Sequence, residues 1–169
     1  MIQDPDLFSA FTKNAWRLET RTFYEDDRAE FERAVDGLEP TVEEVERRAR
    51  WVAKVEQARA EGRTIGRVLL VRRPLSAYHR WRVETALPHV AAGEDIRLAD
   101  YEQHAPLAGL YMDFWLLDNA RVWVMAYNTV DRFTGIMETA TPAAVGYCRQ
   151  VHDEVLAWAR PIQEFLTPA

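Results

Sequence analysis

The sequence predicts an α+β fold: a mixed, mainly antiparallel sheet of about five strands with helices packed on it. Three observations carry that expectation. Helical and strand periodicities follow one another in the order α β α α β α β β β α, without strict βα alternation. Residues 112–140 hold three apolar runs separated by turn residues, the pattern of a meander. Two helix starts are also marked by caps, T-V-E-E from Thr41 and T-P from Thr141.

Taken in order, residues 6–13 read as a short helix. Trp16, Leu18 and Thr22 then alternate with Arg17, Glu19 and Arg21 at the period of a half-buried strand, which leaves two arginines and a glutamate on its polar face. Residues 25–35 suit an amphipathic helix with Phe31 and Val35 on one side, stopped by Gly37. The next helix runs from the Thr41 cap to Gly62, with Val42, Val45, Ala49 and Val52 as its expected core stripe. I-G-R-V-L-L-V at 65–71 is β-branched and apolar enough for an interior strand. Ser76 caps a helix over 77–87, which Pro88 ends or kinks, and Gly93 turns the chain into E-D-I-R-L. In the meander, Val122, Val124 and Ala126 oppose Trp123, Met125 and Tyr127, so that strand is central. The last helix carries the stripe Ala144, Cys148, Val151, Val155 and Trp158 and stops at Pro161.

With 169 residues, 48% apolar and 28% charged, one domain spanning 1–169 and one core are expected. The formal charge of −6 disfavours direct nucleic-acid binding, which needs a basic face. A single cysteine rules out an internal disulfide, and neither a signal segment nor a long apolar run is present, so a cytoplasmic location away from membranes is expected.

Four segments, W-R-L-E-T-R at 16–21, R-x-P-L-S-x-Y at 72–78, A-G-E-D-I-R at 92–97 and D-F-W-L-L-D at 113–118, together resemble the DUF6879 family along nearly the whole chain. The resemblance implies a small actinobacterial domain without assigned chemistry, encoded beside helix-turn-helix regulators. The helix at 41–61 is longer than the family's pattern, so a surface near it transfers least safely.

Within or just beyond those segments lie the polar residues that could form a binding surface for a ligand or partner: Arg17, Glu19, Arg21, Tyr78, Arg80, Arg82, Glu84, Glu94, Asp95 and Arg97, with Trp115 as an aromatic wall. Guanidinium forks grip carboxylates or phosphates, and interleaved acids orient them. The plainer alternative makes Arg80 and Glu84 an i, i+4 surface pair and the rest internal salt bridges. Trp81, Tyr111, Trp123 and Tyr127 equally suit a stacking wall or ordinary core. His79, His89, His104 and His152 lack metal-ligand spacing, no nucleotide-binding glycine loop occurs, and Cys148 falls on an apolar stripe as an inert thiol, so neither metal nor cofactor is expected. The favoured expectation is a noncatalytic regulatory module that binds a helix-turn-helix regulator or a small anionic ligand. The alternative is a motif-less enzyme acting on a phosphate- or carboxylate-bearing small molecule in specialised metabolism. A homodimer is a further expectation for so small and aromatic-rich a domain.

Overall fold

The computed structural model describes residues 6–166 and contains a mixed sheet with helices on both faces. The elements are α1 (Leu7–Ala10), β1 (Asn14–Glu19), α2 (Arg28–Val35), α3 (Val42–Ala60), β2 (Thr64–Val71), α4 (Ala77–Ala92), β3 (Asp95–Asp100), β4 (Phe114–Leu117), β5 (Arg121–Tyr127), β6 (Phe133–Thr139), α5 (Pro142–Trp158) and β7 (Arg160–Pro161). The sheet runs β6-β5-β4-β1-β2-β3-β7. Pairs β1·β2 and β2·β3 are parallel, and the other four are antiparallel.

The sheet has seven strands where about five were expected, the additional two being β3 and β7. β3 comes from D-I-R-L-A-D, whose charged residues alternate with Ile96 and Leu98, and it pairs parallel to β2. β7 has two residues and exists because β3 offers it a partner, so it has no pattern of its own. The helix does not end at Pro88, the first of the two outcomes expected there, since α4 continues to Ala92 and is capped by Gly93 with φ +114°. Proline removes the hydrogen bond to the Glu84 carbonyl, and both residues lie on the exposed side of the helix, where water can satisfy that group.

Other punctuation behaves as the sequence implies. Thr41 and Glu44 form a reciprocal capping box, Ser76 accepts from the His79 amide, and Asp118 and Asn119 turn the meander at φ +52° and +54°. Asp118 also accepts from the amides of Thr12, Lys13 and Asn14, which ties that turn to the start of β1.

The two faces of the sheet differ. Trp16, Leu18, Val68, Phe114, Leu116 and Val122 pack under α5 with Cys148, Val151 and Val155. On the other face, Ala15, Ile65, Trp115, Leu117 and Trp123 meet Val55 and Ala58 of α3, while Leu69, Ile96 and Leu98 meet Val83 of α4. Two apolar clusters therefore flank a strip of polar side chains on that second face. The polar side of β1 lies in that strip: Glu19 is 2% exposed. The expected stripe of α3 is corrected as well, because Val42 and Val45 are 76% and 52% exposed. The helix instead turns Glu44, Arg48, Trp51, Val55 and Ala58 inward, a 4-3-4-3 spacing whose first half is polar because it faces that strip. Among the described residues no helix is long and apolar enough to cross a membrane.

Candidate functional site

Strand register determines what meets in the polar strip. β1 alternation sends Arg17 and Glu19 toward α3 and α4, and pairing places Arg17 beside Arg67 on β2 and beside Trp115 on β4. From above, one stripe of α4 carries Tyr78, Arg82, Thr85 and His89, at spacings of four, three and four. Glu94 follows the α4 cap and is buried beneath Trp51 of α3.

A ladder of ionic contacts results. Arg82 Nη2 donates to Glu19 Oε2 at 2.6 Å, and Arg67 Nη1 to Glu19 Oε1 at 3.3 Å. Arg17 Nε lies 3.2 Å from Glu19 Oε1 without the alignment of a hydrogen bond. Arg67 Nε donates to Glu94 Oε1 at 2.6 Å, and the Trp51 indole N–H donates to Glu94 Oε2 at 2.8 Å. Arg82 also reaches Asp27 and the Tyr78 hydroxyl, each at 3.2 Å, and that hydroxyl donates to Asp27.

A second hub anchors the loop over this strip. Asp113, 0% exposed, accepts from the Thr20 amide and hydroxyl and from the hydroxyls of Tyr24 and Tyr127. Arg21 stands 3.5 Å from Asp113, bonds Asp131 at 2.9 Å, and stacks 3.8 Å above the Tyr127 ring centre. At the rim, Glu30 of α2 accepts from Arg47 and Arg48 of α3.

Between the sheet, α3, α4 and this rim is a cavity of about 530 Å³. Arg17, Glu19, Arg67 and Arg82 line it with His89, and Trp51, Trp81, Trp115 and Trp123 wall it. That volume lies within the range of small-molecule sites, roughly 300–1,000 Å³.

Burial alone would raise the Glu19 carboxyl, but the guanidiniums of Arg17, Arg82 and Arg67 outweigh it and hold the group at about 2. Glu19 is thus a fixed anion with both oxygens occupied. Burial lifts the hydroxyls of Tyr24, Tyr78 and Tyr127 above the ordinary tyrosine value, so they stay protonated. Burial, aided by Arg67, lowers His89 to about 4, and burial with Arg82 does the same for His79. On the far face of the sheet, burial raises the Cys148 thiol to about 11, so it supplies no thiolate.

Stability should therefore rise with pH between about 4 and 6.5. The unfolded histidines take up protons near 6.5, whereas folded His79 and His89 bind them only near 4, so the unfolded state holds more protons across that window. The contribution of Glu19 is present above its unfolded value of about 4.5 and disappears as pH falls toward 2. Urea midpoints taken at pH 7 and pH 4.5 check this, and equal midpoints would contradict it.

Of the residues singled out from sequence, the structure gathers Arg17, Glu19 and Arg82 in the cavity with the aromatics Trp81, Trp115, Trp123 and Tyr127. Tyr78 stands behind them on Asp27, and Arg21 belongs to the Asp113 hub. Arg80, Glu84, Asp95 and Arg97 do not converge there. Arg80 and Glu84 occupy the outer face of α4, where Arg80 turns to the Leu75 carbonyl and not to Glu84. Asp95 and Arg97 pair with each other at 3.0 Å on the opposite face of the sheet, because their parallel partners are Gly66 and Val68, neighbours of Trp16 and Leu18. Tyr111 is exposed and lies outside the wall. Replacing Arg80 and Glu84 together by Ala should move the melting temperature by no more than about 2 °C, as read by circular dichroism.

Arg67, Asp27, Tyr24 and Trp51 line the cavity without having been expected there, as does His89, which the sequence offered only as a residue without metal-ligand spacing. Arg67 did leave a signal: it is the one charge inside the apolar run I-G-R-V-L-L-V, and a charge on a strand covered on both faces needs a partner. The other four are recognisable only once α3, α4 and residues 20–27 have converged.

The model of a family described as a domain of unknown function, DUF6879, matches residues 5–167. No curated protein matches the chain.

Proposed function

The chain belongs to the DUF6879 family, and from that premise we propose that it is a noncatalytic binding module whose cavity takes a small organic ligand with an anionic group. The observation that carries this reading is the combination, in one cavity of about 530 Å³, of guanidiniums on the floor and tryptophans on the walls. Aromatic walls favour a flat apolar body, and guanidiniums favour an anion.

The groups in the cavity support binding over catalysis. A general base needs a proton affinity near the working pH, yet Glu19 is held at about 2 and His89 at about 4. The nearby tyrosines are held protonated. The role we infer is regulatory, with occupancy of the cavity communicated to a protein partner, for which a helix-turn-helix regulator is our first candidate.

The test is a fluorescence titration with 8-anilinonaphthalene-1-sulfonate, which joins a flat apolar body to a sulfonate. The account expects one saturable site per chain, energy transfer from tryptophan to the dye, and a raised melting temperature. Filling the cavity with Ala86→Trp should abolish that site. A dye signal that never saturates, or that survives in the filled variant, would overturn the reading.

A further inference from the structure

Hydrogen bonding in the cavity is unevenly satisfied, and the unevenness says which ligand chemistry is missing. Arg67 spends its donors on Glu94 and Glu19, and Arg82 on Glu19, Asp27 and Tyr78. Arg17 is different. Its only hydrogen bond among the described residues is a long one, 3.4 Å from Nη2 to the Tyr127 hydroxyl, which itself donates to Asp113. Its Nε is buried and misaligned with Glu19, and Nη1 has no acceptor among the described residues. Both ring nitrogens of His89 are likewise enclosed without a partner, although Nδ1 lies 3.7 Å from Glu94. Buried donors left unpaired each cost roughly 1–3 kcal/mol, and native proteins rarely leave two such groups on one cavity without a use for them.

Resting on the small-ligand reading above, we propose that Arg17 anchors the carboxylate of a flat aromatic monoanion and that His89 holds a hydroxyl or amide at the far end of the same molecule. A carboxylate can accept from Arg17 Nη1, whose hydrogens find no acceptor among the described residues, in a charge-assisted bond. The Arg17 guanidinium already lies 5.6 Å from the Trp115 ring centre, so an aromatic carboxylate seated there places its ring along the tryptophan wall. On the buried floor Arg17, Arg67 and Arg82 face Glu19 and Glu94, so one positive charge is left for a single negative one. Asp27, the other partner of Arg82, is 30% exposed at the rim, where water screens it.

The separation of the two ends comes from the sheet. The sequence of contacts Arg17, Glu19, Arg67, Glu94, His89 crosses from β1 over β2 to the start of β3. Arg17 rises from β1 and His89 hangs from α4 beside the start of β3, so the two anchors stand at opposite ends of that sequence of contacts. A neutral imidazole offers one donor and one acceptor, which suits a hydroxyl or an amide, and the adjacent Glu94 carboxylate disfavours a second anion there.

The probe is 6-hydroxy-2-naphthoate, rigid and polar at both ends, titrated calorimetrically against the full chain beside 2-naphthoate, the methyl ester of 2-naphthoate, and 2-naphthyl phosphate. The acid should bind on the order of tenfold to a hundredfold more tightly than its ester. The 6-hydroxyl should add several-fold, a gain lost in His89→Phe. Arg17→Gln should erase the preference for acid over ester. Because the acid-to-ester ratio is read on the unaltered protein, it decides the matter even if a variant folds poorly. An ester that binds as well as the acid, or a preference retained in Arg17→Gln, would overturn the anchor. Tighter binding of 2-naphthyl phosphate than of 2-naphthoate would overturn the carboxylate assignment. If neither acid nor ester binds and the sulfonate dye also fails, the small-ligand reading falls and takes this inference with it.

Discussion

Replacing Glu19 by Ala should lower stability by about 3–5 kcal/mol, a large share of the 5–15 kcal/mol typical of a domain. Glu19 is the shared anion of the cavity floor, with Arg82 at 2.6 Å, Arg67 at 3.3 Å and Arg17 at 3.2 Å. Without it Arg17 faces the other two guanidiniums across a void, in a place where burial already disfavours charge. The loss is greater than the net value of the ion pairs, because removing one partner strands the desolvated charges of the others. Glu19→Gln, which keeps the volume and one acceptor oxygen, should cost less than Ala but remain clearly destabilising. Urea denaturation followed by circular dichroism gives both values. An alanine variant within 1 kcal/mol of the unaltered protein, a margin set by ordinary surface substitutions, would mean that water reaches these arginines freely.

Asp113→Ala should be comparably harmful, about 3–5 kcal/mol, for a different reason. The lost carboxylate leaves the Thr20 amide and hydroxyl and the hydroxyls of Tyr24 and Tyr127 without their acceptor in a buried site. It also frees residues 20–27, which carry Tyr24 and Asp27 to the cavity, so dye affinity should fall together with stability. Asp113→Asn keeps one acceptor oxygen and should recover part of both. Amide hydrogen exchange localises the effect, with faster exchange at residues 20–27 before the rest of the sheet. Uniform acceleration throughout the sheet would contradict the idea that Asp113 secures that loop.

The legible parts of this fold are those fixed by local chemistry. The Thr41 and Glu44 box, the Ser76 cap, the Asp118 and Asn119 turn and the alternation of β5 all depend on residues close in sequence, and each appears where the chain implies it. β7 escaped because two residues have no period, and the continuation of α4 past Pro88 because solvent exposure decides it. For the site, Arg17, Glu19 and Arg82 drew attention as charges within or just beyond family-like segments, yet period-2 alternation cannot say which sheet face will be covered by polar helix stripes. The same ambiguity misplaced Asp95 and Arg97, whose face is set by pairing with β2. It also hid the inward stripe of α3, since apolar Val42 and Val45 are exposed while Glu44 and Arg48 turn in.

The central claim is that the cavity exists to hold a small molecule, and native mass spectrometry of the intact chain after incubation with a metabolite extract tests it most directly. The account predicts a one-to-one adduct of a few hundred daltons that Ala86→Trp abolishes. An adduct-free protein at every extract concentration, or an adduct that the cavity-filled variant keeps, would contradict it.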